Sequence, residues 1–186
     1  AYNLIPQIGG FNEAGYSSEE MKMQNEGRKI MSNPELCVNC TCVRVPVIRS
    51  HSESIMVEFE KEISVEKARE LLQGAPGVKL VDEPQKQVYP MPLDTTDQDL
   101  VFVGRIREDM SGHANALSFW CCGDQVRKGA ATNAVQIAEL VIQEKEKQQE
   151  FEARREYYTS DAYIEQIARE QLGMVKSNEI LYINRG

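Results

Sequence analysis

The chain has 186 residues, 41% apolar and 27% charged, with 29 acidic against 21 basic side chains and a net charge of -8. That is enough for one ordinary domain with a buried core, or one domain plus an appendage, and it excludes a disordered or collagen-like chain. No apolar run approaches the ~20 residues of a bilayer span, AYNLIPQIGG lacks the basic head and apolar stretch of a signal peptide, and the acidic balance disfavours a polyphosphate partner, so the expectation is a cytoplasmic protein that engages neither membrane nor nucleic acid.

In chain order, the opening at Ala1 falls inside what reads as ordered structure, so the expectation is a fragment. Ser17 and Glu20 have capping-box spacing and predict a helix over 17–31, with Met21, Met23 and Ile30 as apolar positions and Asn33-Pro34 as its stop. Thr41 to Ile48 alternates and is rich in valine, which predicts a strand. Ser54 to Phe59 reads as its continuation or partner, placing His51 at a strand end or in the connection. Ser64 caps a second predicted helix through Gln73, with Gly74 after its end. Strands are predicted over 78–81, 100–107 and 116–122, before the turn signal Gly123-Asp124 and a helix from about Gln125 through Leu140. These elements predict an α+β domain, its mixed and largely antiparallel sheet covered by helices on one face.

Near residue 141 the composition shifts to VIQEKEKQQEFEARREYY, helix-forming, heavily charged and sparsely apolar. It reads as a solvated helix or a short coiled-coil end, because Leu140, Phe151 and Tyr158 are too sparse for a sustained heptad. Ser160-Asp161 then caps a short amphipathic helix over 162–172, Gly173 stops it, and 179–183 reads as a brief strand.

The cysteines are five, an odd total, in a chain too long to need disulfide staples. Cys37, Cys40 and Cys42 form a C-x-x-C-x-C run, but Cys121 and Cys122 are adjacent and supply no second C-x-x-C to complete a tetrahedral zinc site, so no metal is expected. Cys42, Cys121 and Cys122 read instead as small apolar residues on buried strands.

Glu26 and Lys29 share one helical face, Arg44 offers a planar fork suited to a carboxylate or phosphate, and His51 is able to move a proton near neutral pH. Cations with one imidazole suit a small anionic substrate undergoing acid/base chemistry. The plainer alternatives stand beside that reading: a surface Glu26–Lys29 pair worth ~0.3 kcal/mol, an Arg44 snorkelling from a strand edge, and a structural His51.

The stretches EEMKMQNEGRKIM, TCVRVPVIRSHSES, VYPMPLD, VFVGRIRED and DQVRKGAATNAVQIAEL, in that order, resemble the C-terminal part of the bacterial aspartate-semialdehyde dehydrogenase family over about residues 1–140. The resemblance implies that His51 is the acid/base histidine, Arg44 the arginine for the substrate carboxylate, Glu26 a substrate-binding glutamate, Lys29 the phosphate lysine, and Gln125 a position near NADP. It also implies aspartate semialdehyde and phosphate as ligands, a role in amino-acid biosynthesis, and a homodimer formed through the sheet's other face. Ser50, Cys121 and Cys122 depart from the family pattern, in which glycine and plain aliphatic residues are more usual. The family's nucleophilic cysteine and glycine-rich nucleotide turn lie upstream of the matched region; Cys40, in an Asn-Cys-Thr setting, mimics the nucleophile's context but stands out of family order. The expectation is an incomplete semialdehyde dehydrogenase domain over 1–140, inactive alone, whose nucleotide domain is absent.

REYYTSDAYIEQIAREQLGMVKSNEILYI resembles the C-terminal end of the septum-formation initiator family over about 143–186. This implies a separate helical tail over 141–186 and, as the alternative function, an interaction protein whose coiled-coil tail binds a cell-division partner. The membrane helix of that family is not found in this sequence, so membrane anchoring is not expected. The plainer reading is a helical extension that packs on the domain through Tyr163, Ile167 and Leu172.

Overall fold

The computed structural model describes residues 2–113, 115–175 and 179, which divide between Gln125 and Val126 into two compact units. In the first unit a helix, α1 (Ser18–Ile30), begins at an N-cap where both halves of the capping box form. Glu20 Oε2 accepts from Ser17 N at 2.7 Å. A second helix, α2 (Val65–Gln73), starts from Ser64, whose Oγ accepts from Lys67 N at 3.1 Å, and ends at Gly74. Both agree with the cap signals, because these side chains satisfy orphan first-turn donors.

The sheet contains β1 (His51–Glu58), β2 (Val78–Leu80), β3 (Val101–Glu108) and β4 (Ala116–Gly123) in the order β1-β4-β3-β2. β4 is antiparallel to both neighbours and β2 is parallel to β3, so the sheet is mixed and largely antiparallel. One face carries Ile106 and Leu117, buried against Ala68 of α2 with Phe59, Ile63, Val65, Leu72, Leu80 and Phe119 around them. The other face is touched by the segment entering a one-turn helix, α3 (Pro92–Thr95), where Trp120 Nε1 donates to the Pro90 carbonyl at 3.1 Å. A Cβ on Gly104 would lie 2.0 Å from the Val81 carbonyl oxygen, so only glycine admits that close approach beside the β3 bulge.

The strand predicted over 41–48 does not form. Among the described residues its ladder pairing is one antiparallel bridge, with Arg44 N donating to Ile5 O at 2.8 Å and Ile5 N to Arg44 O at 3.1 Å. Pro46 has no donor, and no neighbouring strand runs beside Val43, Val45 and Val47, which stay exposed. Residues 36–44 instead form a strap running antiparallel along α1. Arg28 Nε donates to the Leu36 carbonyl at 2.8 Å, and Cys42 N donates to Glu20 Oε1 at 2.9 Å. Cys42 therefore sits in a strap rather than on a buried strand, whereas Cys121 and Cys122 lie on β4.

In the second unit a π-helical turn at Arg127–Ala131 leads into α4 (Thr132–Tyr158), which runs unbroken through residue 141. A final helix, α5 (Asp161–Leu172), opens at Ser160, whose Oγ accepts from Tyr163 N at 3.2 Å, and closes at Gly173 with φ +63. Tyr157, Tyr158 and Tyr163 stack between the two helices with ring centroids 4.9–5.5 Å apart. The strand expected over 179–183 falls outside the described residues except for Glu179.

Candidate active site

His51 opens β1 opposite Gly123, the last residue of β4. Just before it, Ser50 is buried at φ +78 and its N–H donates to Gln125 Oε1 at 2.7 Å. The end of β4 thus brings His51 and Gln125 into one neighbourhood and leaves the Gln125 amide nitrogen to donate elsewhere. The junction is locked by charge. Arg49 lies 2.8 Å from Asp124 Oδ2 through Nε and 2.9 Å from Asp97 Oδ1 through a terminal nitrogen, while Asp97 N donates to Asp124 Oδ2 at 2.8 Å. Asp124 is fully buried, so its carboxylate depends on these donors. Residue-by-residue reading missed Arg49, Asp97 and Asp124. The available signal was Gly123-Asp124, read only as a turn.

Glu26 and Lys29 stand exposed on α1 and are not bonded to each other; among the described residues neither makes a side-chain ion pair, and the same is true of Arg44. The plain Glu26–Lys29 surface pair is therefore not formed, and three charged side chains remain open to a ligand. Glu20 links their carriers: with one oxygen on the α1 cap and the other on Cys42 N, it joins the helix bearing Glu26 and Lys29 to the strap bearing Arg44. The backbone N–H groups of Ser17 and Cys42 hold the Glu20 carboxyl below its usual range.

The thiols of Cys42, Cys121 and Cys122 are held protonated. Burial, with Cys40 beside it, pushes Cys42 up to about 11, and burial, with Glu53 beside it, pushes Cys121 up to about 12. Cys122 is also raised by burial. Groups so shifted are poor nucleophiles near neutral pH. Among the described residues no cluster of three or more His, Cys, Asp or Glu side chains is arranged to hold a metal.

Residues 1–128 match the model of the semialdehyde dehydrogenase dimerisation domain, and residues 127–185 match that of the septum formation initiator. A relative named aspartate-semialdehyde dehydrogenase from Synechocystis is 52% identical over 143 residues, covering 77% of this chain and 42% of the relative. A crystal structure of aspartate semialdehyde dehydrogenase II from Vibrio cholerae, complexed with ASA, superposes with a TM-score of 0.72 at 44% identity, over 77% of this chain and 42% of that one. The Candida albicans enzyme crystallised with NADP matches 75% of this chain and 44% of its own length, at 27% identity and a TM-score of 0.59. The chain thus spans less than half the length of these relatives.

Proposed function

Because this chain belongs to the semialdehyde dehydrogenase dimerisation-domain family, we propose that it supplies the substrate-binding and dimerisation part of an NADP-dependent aspartate-semialdehyde dehydrogenase, which interconverts aspartate semialdehyde and aspartyl phosphate with inorganic phosphate. The observation that supports it best is the likeness to the ASA-bound Vibrio cholerae enzyme across 77% of this chain. In this reading residues 1–140 form the enzyme part and 141–186 a tail.

Arg44 binds the amino-acid carboxylate through its fork, and Lys29 supplies a point charge for the incoming phosphate. Glu26, within one turn of Lys29, orients the lysine or the substrate. His51 accepts the proton of a nucleophilic thiol carried on another part of the enzyme and later returns it. Gln125, fixed through Ser50 N, would contact NADP through its amide nitrogen. NADP when bound supplies the hydride acceptor; one carboxamide is a contact and not a cradle, so the main cofactor site belongs to a nucleotide domain outside this chain.

The chain alone is therefore expected to give no phosphate-dependent reduction of NADP with aspartate semialdehyde; robust turnover would refute the division of labour and direct attention to Cys40. Joined to a nucleotide domain of the family, it is expected to work. His51→Ala then lowers kcat by about 10²–10⁴-fold, and Arg44→Ala raises KM for the semialdehyde while sparing kcat more. Unchanged kinetics in both variants would show that the residue roles are wrong.

A second reading rests on the match of residues 127–185 to the septum formation initiator. Here the chain is an interaction protein whose tail binds a cell-division partner. Retention of such a protein by the whole chain, lost on truncation after residue 140, is the expected outcome; equal retention by the truncated chain would remove the tail from the reading.

A further inference from the structure

We propose that one face of α4 is a self-association surface on which a second copy of this chain lays its own α4 antiparallel. Ile137, Leu140, Val141, Glu144, Lys147 and Phe151 line one open face, to which no residue of α5 contributes. Its apolar members lack cover: Leu140 is 60% and Phe151 69% exposed. Ile137, Glu144 and Phe151 recur every seven residues, and Leu140, Lys147 and Arg154 form the companion series, so the two sets make the seam of a two-helix pair.

Charge selects the occupant and its direction. A parallel second copy would set Glu144 against Glu144 and Lys147 against Lys147 in successive layers of the seam, where like charges repel. An antiparallel copy related by a two-fold axis between residues 145 and 146 pairs Glu144 with the partner's Lys147, and Leu140 with the partner's Phe151. Each contact then occurs twice, as an isologous interface requires. The polar layer that interrupts the apolar spacing thereby becomes the element that fixes register, a role buried polar positions play in coiled coils. Glu144 and Lys147 already pair within one helix at 2.8 Å, so their charged ends lie together on the face presented to the second copy.

The test uses the whole chain in sedimentation equilibrium over a concentration series, with helix content followed by circular dichroism. Glu144→Lys alone or Lys147→Glu alone places like charges at both symmetric contacts and is expected to weaken association by about ten-fold. The double variant Glu144→Lys/Lys147→Glu restores both contacts and is expected to associate as the unmodified chain does. In a parallel pair each single variant only exchanges one like-charge layer for another, so single variants that associate as the unmodified chain does, or a double variant that fails to restore association with helix content intact, overturn the proposal. Leu140→Asp, at a position 60% exposed in the single chain, is expected to abolish the α4 contribution. If residues 1–125 associate independently, the variants reduce a larger assembly to that smaller one; an association constant identical in the unmodified chain and Leu140→Asp also overturns it.

Discussion

Ser50 shows how a single residue next to the candidate proton-transfer histidine carries strain. Its φ of +78 lies in the left-handed region, where a Cβ crowds the following carbonyl, and its buried Oγ has no hydrogen-bond partner among the described residues. Ser50→Gly removes both penalties and loses some unfolded-state restriction, so it is expected to stabilise the chain by about 1 kcal/mol in urea unfolding. A decrease in stability would show that the hydroxyl is satisfied in solution. Asp124→Ala acts oppositely, leaving Arg49 half-buried without one carboxylate and Asp97 N without its acceptor; a loss of about 3 kcal/mol is expected in the same measurement. Family likeness made the Ser50 position legible as one that favours glycine. The Arg49–Asp97–Asp124 cluster was not, because its members are separated by 48 and 27 positions and each is an unremarkable polar residue in its own segment.

At the scale of elements, the two helices with side-chain caps in the first unit were legible because the cap chemistry is local: Ser17 with Glu20, and Ser64 ahead of Glu66. The strap over 36–44 was not. Valine alternation states a preference for extended backbone and says nothing about whether a neighbouring strand exists to receive it. The partner turned out to be α1, reached through Glu20. That carboxylate carries a pH signature. Its folded pKa lies below the usual 4.5, so it binds protons less readily folded than unfolded, and its contribution is fully present above the unfolded pKa. The contribution is lost as pH falls from about 4.5 through the lower folded value. Glu20→Gln is therefore expected to lower stability at neutral pH and to flatten the slope of stability against pH in this acid window. Asp109, also lowered, by Ser111 and Ser118, leaves a residual slope. An unchanged slope in Glu20→Gln would mean that the clamp between α1 and Cys42 is not made by the ionised carboxylate.

Across the whole molecule the two units differ in what holds them. In the first, Phe102, Val103, Ile106, Leu117 and Cys122 of β3 and β4 are buried, so opening their backbone hydrogen bonds requires breaking the core. In the second, α4 and α5 contain no buried residue, and 27 residues of α4 rest on helix propensity and pairs such as Glu150–Arg154. A helix without tertiary cover is marginal, because each pair adds only about 0.2–0.5 kcal/mol. Amide hydrogen exchange of the dilute chain is accordingly expected to show strong protection in 101–108 and 116–123 and fast exchange along 132–158. Self-pairing adds a sharper consequence. Raising the chain concentration should slow exchange along 137–154, where the second copy lies, and leave β3 and β4 unchanged. Protection of α4 that is strong and independent of concentration would mean that the helix is covered within one chain, and that its exposed apolar face is not the source of its stability.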